Sequence, residues 1–440
     1  MPLLAFTFFG LLAQPVAAQP TLTLDAAVHE ALEQNRTLVA ARSTVTEADL
    51  HTREARAGRL PRINVAETWQ RGNQPVFVFS SLLAARQFAA ANFAIDALNH
   101  PDPIGYFHTA VGVEQVLYDG GRTRAQIRGA GLQRDIAATA ADETEAAIRL
   151  GVTQTYGQLV ALASGRRALA AALATAQDDL TRARQRRDAG LVTEADVLSL
   201  AVHVSDLQQR AIQADGEFAI ARAELNRQTG APIDRAFEVA DVVPATVATP
   251  AAADVARLLA TADQQRPELR RAALAETLAD TFRQQARAAL IPQVGAQAGL
   301  DIAGTRFADR ASSWVVGGEL RWTFSTGGAE RARVRAATEA AARTHLERED
   351  VRAQVQVDVL TAVRRLDAAR ARADVGRAAV DQARESQRII RDRFDAGMAG
   401  VTDVLRASAA LLDAEAQRTA ALVDTLVSQA LLDKATATAR

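Results

Sequence analysis

The 440-residue sequence has no cysteine, one lysine (Lys434), two methionines (Met1 and Met398) and only 5% aromatic residues. Without cysteine there are no disulfides, no thiolate metal sites and no N-terminal cysteine to acylate. A single Met after Met1 leaves few soft ligands, which argues against heavy-metal export by ligand shuttling. Six histidines, His29, His51, His100, His108, His203 and His345, are scattered without HExxH, GxSxG or paired-ligand spacing. Neither an enzyme nor a bound cofactor is expected on that basis. Lys and Arg number 51 against 52 for Asp and Glu, so the chain carries no electrostatic footprint for nucleic acid. After the apolar run from Leu3 to Ala13 there is no uncharged apolar stretch of the roughly 18 residues a membrane-spanning helix needs. A mature chain that enters a bilayer must therefore do so as strands. The early run, followed by Val16-Ala17-Ala18 before Gln19, reads as a secretory signal over residues 1–18, without the usual Lys or Arg in its first residues.

What the sequence does contain is a duplication. Arg187-Asp188-Ala189-Gly190-Leu191-Val192-Thr193-Glu194-Ala195-Asp196-Val197-Leu198 returns as Phe394-Asp395-Ala396-Gly397-Met398-Ala399-Gly400-Val401-Thr402-Asp403-Val404-Leu405, at a fixed offset of 207 without a gap. Self-similarity of this kind marks a repeated structural unit. Repeat one occupies residues 19–230, a linker with Pro244 and Pro250 spans 231–253, and repeat two fills 254–440. Each copy of the motif sits between two long Ala/Arg/Leu-rich helical patterns, and its glycine supplies the positive φ that ends one helix before the next begins. Both copies read as tips of helical hairpins. The proline-free stretches from Arg122 to Arg187 and from Ala329 to Arg393 predict continuous helices on the order of 100 Å long, which no soluble core buries. In the second, Val355, Val359, Ala362, Leu366, Ala369 and Val380 mark a heptad seam. Return helices are expected from Ala195 to about Gln228 and from Thr402 to about Leu432.

Ahead of each hairpin the spacing predicts one helix, from Leu24 to Gly58 and from Val255 to Leu290, closed by Pro61 and Pro292. These prolines lie 231 positions apart, so repeat one carries 24 additional residues, placed within Arg71 to Tyr106 and read as a long loop. After each proline the period changes to two: Val294, Ala296, Ala298, Leu300 and Ile302 alternate with polar or glycine positions, as do Val316, Gly318, Leu320, Trp322 and Phe324. Ile63, Val65 and Trp69, and Val111, Val113 and Leu117, give the first-copy partners. Four strands of about 8 to 10 residues follow, each with one apolar and one polar face. A transmembrane β-barrel and a half-buried sheet of a soluble protein both produce this alternation. Asp119-Gly120-Gly121 and Thr326-Gly327-Gly328 then open into the long helices. Such glycine pairs can cradle phosphate, but no GxxxxGK[ST] or GxGxxG follows; strand-to-helix turns needing positive φ explain Gly120, Gly121, Gly327 and Gly328.

Strand pair, Gly-Gly, long helix, glycine turn with a trailing Asp-Val-Leu, return helix, then all of it again: this order resembles the TolC-like outer membrane efflux protein family. The resemblance rests on Leu117-Tyr118-Asp119-Gly120-Gly121, Ala189-Gly190-Leu191-Val192 with Asp196, and Ala396-Gly397 with Asp403-Val404-Leu405. It implies an α+β membrane protein, a homotrimer whose twelve strands, four per chain, form one barrel in outer membrane lipid, continued by an α-helical barrel across the periplasm. It further implies a channel that passively conducts substrate from an inner-membrane pump of RND, ABC or MFS type, joined through a periplasmic adaptor. The adaptor would meet the tips at Gly190, Leu191 and Val192, and at Gly397, Met398 and Ala399, although turn-making alone would also account for both glycines. An acidic ring at the periplasmic aperture falls on Asp403, with Asp196 as its counterpart in repeat one. The family's second acid is replaced by Arg406 and its gate arginine by Ala399. Independently of the family, Asp196 and Asp403 occupy first-turn positions where a carboxylate caps a helix. A periplasmic adaptor is the alternative class, since it too has a coiled-coil hairpin, but it would have one hairpin and no amphipathic strand pairs.

Overall fold

The computed structural model describes residues 21–240, 252–323 and 326–438. The signal segment, residues 241–251 of the linker, and Phe324 and Ser325 lie outside the described residues. In chain order the elements are β1 (Thr21–Leu22), α1 (Leu24–Gln34), α2 (Arg36–Ala57), β2 (Arg62–Gly72), α3 (Pro75–Ala84), α4 (Ile95–Asn99), β3 (Ile104–Tyr118), α5 (Arg122–Asp188) and α6 (Glu194–Thr229). Then follow β4 (Glu238–Val239), α7 (Ala252–Gln265), α8 (Pro267–Ala288), β5 (Gln293–Arg306), β6 (Asp309–Arg321), α9 (Ala329–Asp395) and α10 (Val401–Thr436). The duplication is strict in its boundaries: α9 and α10 begin and end 207 positions after α5 and α6, and α8 begins and ends 231 after α2.

The chain forms two compact units, one of residues 1–41, 141–267 and 353–440, the other of 42–140 and 268–352. In the first, Val355, Val359, Ala362, Leu366, Ala369 and Val380 of the heptad seam are all buried. Small residues let the helices touch backbone to backbone, since a Cβ at Gly376 would stand 3.2 Å from the Arg418 Cα. Val152, Tyr156 and Leu159 of α5 form a core with Ala27, Ala31 and Leu225 of α1 and α6. A window of α5 is apolar enough by length and composition alone to cross a bilayer, and little of it is buried. The Tyr156 hydroxyl donates to the Leu22 carbonyl (2.9 Å), tying down the two-residue parallel pairing of β1 with β4. That pairing lies partly within the expected linker, which is thus folded at Glu238–Val239.

Two expected single helices are each broken. Asn35, buried at the α1–α2 junction, accepts from the Thr37 and Leu38 amides and donates from Nδ2 to the Gln228 carbonyl (2.7 Å) at the end of α6. At the α7–α8 junction, 231 positions on, buried Arg266 donates to the Lys434 carbonyl (3.1 Å) and to Asp358 (3.3 Å), and Pro267 opens α8. Both breaks exist because a buried polar side chain holds the end of a return helix, which a continuous helix would not position. The strands also exceed the expected 8 to 10 residues, running 11, 15, 14 and 13 residues for β2, β3, β5 and β6. They make one antiparallel sheet in the second unit, ordered β2-β3-β5-β6. The expected loop between β2 and β3 contains α3, α4 and a short turn of 3₁₀ helix at Ala90–Phe93.

Replacing Asn35 with Ala removes a cap and takes the donor from the half-buried Gln228 carbonyl, so stability should fall by about 1–3 kcal/mol, seen as an earlier thermal transition; Arg36→Ala next to it should change little. Glu224, close by on α6, accepts hydrogen bonds from Arg227 and Gln228, and these hold its carboxyl down at about 2 from an ordinary 4.5. A carboxyl with a depressed folded-state pKa stabilises above its unfolded value and loses that contribution as pH falls. The stability difference between wild type and Glu224→Gln should be constant above about pH 5 and vanish between about pH 4.5 and pH 2.

Candidate functional site

The strand-to-helix turns come first. Gly120, Gly121, Gly327 and Gly328 have φ of +67, +89, +63 and +88°, which only glycine adopts without strain. Gly120 also has no room for a side chain, because a Cβ would lie 2.9 Å from the Ile291 Cβ. Asp119 accepts from the Gly121 amide (3.1 Å), the Thr123 amide (2.7 Å) and the Thr123 hydroxyl (2.5 Å). Burial pushes the Asp119 carboxyl up, but the bonds from Thr123, Gly121 and Arg122 outweigh it and leave the group below the usual range. The amides at the start of α5 thus already face an anion, which removes the phosphate alternative there.

The tips close in the same way in both repeats. The Gly190 amide donates to the Arg187 carbonyl (2.8 Å) and Leu191 to Arg186 (2.8 Å); Gly397 donates to Phe394 (3.0 Å) and Met398 to Arg393 (2.7 Å). This is the Schellman arrangement, and both glycines sit at φ +76°. Leu191 and Met398 are exposed, Val192 is half-buried, and Ala399 packs on the cluster of Val197, Leu200, Phe394, Val401 and Val404 beneath the tips. Asp196 accepts from the Thr193 amide (3.0 Å) and hydroxyl (2.7 Å), while the Asp196 amide donates to that hydroxyl (3.3 Å), completing a capping box. Asp403 makes only the reverse half, from the Gly400 amide (3.3 Å), because glycine has no side chain to return. Its other oxygen lies 3.7 Å from Arg406.

Sequence reasoning missed a clamp between the two tips. The Arg186 guanidinium donates to the carbonyls of Phe394 (2.9 Å) and Asp395 (2.7 Å), and lies 4.9 Å above the Phe394 ring. Arg391 pairs with Asp179 (3.2 Å). The cue was a mismatch in the motif: Phe394 stands where repeat one has Arg187, which instead bonds Glu194 across its own turn (2.9 Å). Among the described residues no three His, Cys, Asp or Glu side chains converge.

The sheet register puts Val65, Val111, Leu300 and Trp314 in one row of directly opposed residues, and Ile63, Val113, Ala298 and Val316 in another. These rows share a face, and Ile63, Val65, Trp314 and Val316 on it are exposed. The other face carries Thr68, His108 and Asp301, with His108 Nε2 at 2.8 Å from Asp301. On the apolar face, the Glu67 carboxylate accepts from the Thr109 hydroxyl and is neutralised by Arg310 at 3.5 Å. A mainly apolar face, exposed at Ile63, Val65, Trp314 and Val316, with a polar opposite face and helices at one end, is the pattern of a lipid-facing sheet.

A family model, Outer membrane efflux protein, matches residues 27–231 and again 258–438. The chain belongs to the outer membrane efflux protein family. Its place is accordingly the outer membrane, with the long helices on the periplasmic side. The fold is also that of two solved structures, the outer membrane protein VceC of Vibrio cholerae (TM-score 0.78, 18% identity, 94% of this chain and 95% of that one) and the CmeC outer membrane channel of Campylobacter jejuni (0.80, 15%, 99% and 93%). The open state of MtrE from Neisseria gonorrhoeae is similar too (0.73, 16%, 95% and 89%). No curated protein sequence matches the chain.

The clamp is testable within the duplication. Arg186→Ala should speed amide exchange at 394–398 tenfold or more, equivalent to about 1.4 kcal/mol, because the last carbonyls of α9 lose a charged donor. Arg393→Ala, at the equivalent position of repeat two, should leave exchange at 187–191 unchanged.

Proposed function

We propose that the chain is the outer membrane channel-tunnel of a tripartite efflux or type I secretion system, assembled as a homotrimer. Substrate passes through it passively from an inner-membrane pump, and the chain itself catalyses nothing. The observation that carries this reading is the four-stranded sheet, whose edges β2 and β6 have no partner strand within the described residues. A bilayer leaves no water to satisfy an open edge, and four strands are too few to close a barrel. Copies of the chain must therefore pair β6 with β2, and three copies give twelve strands. Two hairpins and a barrel sheet in one chain also favour a channel over an adaptor.

In this reading the tips, Gly190, Leu191 and Val192 with Gly397, Met398 and Ala399, receive the periplasmic adaptor, with Leu191 and Met398 as the exposed side chains most open to contact. Three copies of Asp403 line the periplasmic aperture, each partly offset by its own Arg406, while Asp196 serves mainly as a cap. Clamping by Arg186 takes over the task of the missing gate arginine at Ala399 by making the two tips of one chain a single body.

Two measurements test the proposal. In intact cells, a bulky thiol reagent added outside should label cysteines placed at exposed positions of the insertion such as Asn73, Gln74 and Asp96, and leave cysteines at 190 and 397 untouched; labelling of the tips from outside would reverse the orientation. In planar bilayers, Asp403→Asn should lower cation preference and divalent block, and Asp196→Asn should do so less. Unchanged selectivity in Asp403→Asn, with only a lower melting temperature, would reduce Asp403 to a cap.

A further inference from the structure

The residues that repeat one adds between β2 and β3 have no counterpart in repeat two, where Phe307 and Ala308 alone join β5 to β6. They lie at the strand ends opposite the helices, hence at the outer mouth. Their helix α3 is packed on the polar face of the sheet. Phe77 meets the Tyr106 ring edge-on at 6.0 Å and lies 3.7 Å from where a Cβ of Gly72 would stand. Tyr106 and Gly72 occupy the same face as His108, by the alternation of their strands. On that face Ala303 of β5 is only 3% exposed.

The segment is also fastened. Arg86, turned at a left-handed φ of +55°, donates to the Ser312 carbonyl (3.1 Å). Gln87 accepts from Thr305 (2.6 Å) and donates to Asp309 (3.2 Å). Phe88 stacks edge-on against both Phe79 (4.7 Å) and Phe93 (5.0 Å), so the return limb is held to the helix.

With Val78, Ser81 and Ala85 buried, the side of α3 turned away from them carries Val76, 74% exposed, and Leu83, 57%, with Ser80 between them turning its hydroxyl back onto the Val76 carbonyl (2.7 Å). Membrane lipid covers the other face of the sheet, so it cannot be what meets Val76 and Leu83. What remains on the polar side is the channel interior and the same helix of the other copies.

We propose that residues 75–95 of each copy form an inward apolar collar just inside the outer mouth, with Val76 and Leu83 of the copies facing one another across the axis. This rests on the proposed channel, whose barrel closes around the polar face. A hydrophobic constriction resists water and small ions by dewetting, while amphipathic or apolar solutes lose little on passing it. The collar is thus a barrier additional to the periplasmic aperture, and selects for the less polar solutes.

The absence of cysteine makes the test direct. Single-cysteine Val76→Cys and Leu83→Cys proteins, treated in intact cells with a short membrane-impermeant bismaleimide, should give covalent dimers, and Trp314→Cys on the lipid face should give none. Leu83→Asp trimers in planar bilayers should conduct at least twofold better than wild type. Leu83→Cys trimers that stay unlabelled from outside, or are labelled without cross-linking, overturn the collar and leave the channel standing. Cross-linking with unchanged conductance overturns the barrier. Loss of trimers in the wild type itself would instead remove the channel reading on which the collar rests.

Discussion

Backbone pairing at the two free edges of the β2-β3-β5-β6 sheet governs everything else in the molecule. An open edge in water invites aggregation, and in hydrocarbon it costs several kcal/mol for each unpaired group. One chain cannot meet that requirement, since its four strands end at β2 on one side and β6 on the other. The apolar row of Val65, Val111, Leu300 and Trp314, open at Val65 and Trp314, makes sense only with lipid against it, and the pairing of Glu67 with Arg310 and its hydrogen bond from Thr109 show how a carboxylate is tolerated there.

Duplication supplies the rest, and its departures from symmetry carry the specific features. Both tips close with the same hydrogen bonds around glycines at φ +76°. One substitution, Phe394 in place of Arg187, puts a ring under the Arg186 guanidinium, which donates to the carbonyls of Phe394 and Asp395 and turns two similar hairpins into a gripping and a gripped one. The other departure is the insertion after β2, which gives only one of the two outer connections a helix. Asn35 and Arg266 show the opposite case, in which different residues do one job at equivalent breaks because the geometry at the end of each return helix is shared.

Much of this was legible in the sequence, for physical reasons. The offset of 207 located α5, α6, α9 and α10 to within a few residues, since heptads and hairpin glycines leave a strong periodic trace. The strands were found but shortened, because glycine positions and the bulge near Val116 in β3 blur the alternation at their ends. The breaks at Asn35 and Arg266 were invisible because Asn and Arg are ordinary on a helix surface; only Pro267, a good first helical residue, hinted at one. The two-residue pairing of β1 and β4 is below any periodic signal. The insertion looked like a loop because its order comes from contacts with residues 226 and 222 positions away, Ser312 and Asp309. Of the candidate site, the turn glycines were readable from local geometry, whereas the Arg186 clamp depends on which hairpins become neighbours.

The central claim is that β2 and β6 pair between copies of the chain in the bilayer, and amide hydrogen exchange on reconstituted protein tests it most directly. Amides of β2 and β6 should be protected as strongly as those of the interior strands β3 and β5, and the protection of β2 and β6 should be lost first when the oligomer is dissociated. Rapid exchange along β2 and β6 in the intact membrane-embedded protein, with β3 and β5 protected, would contradict it.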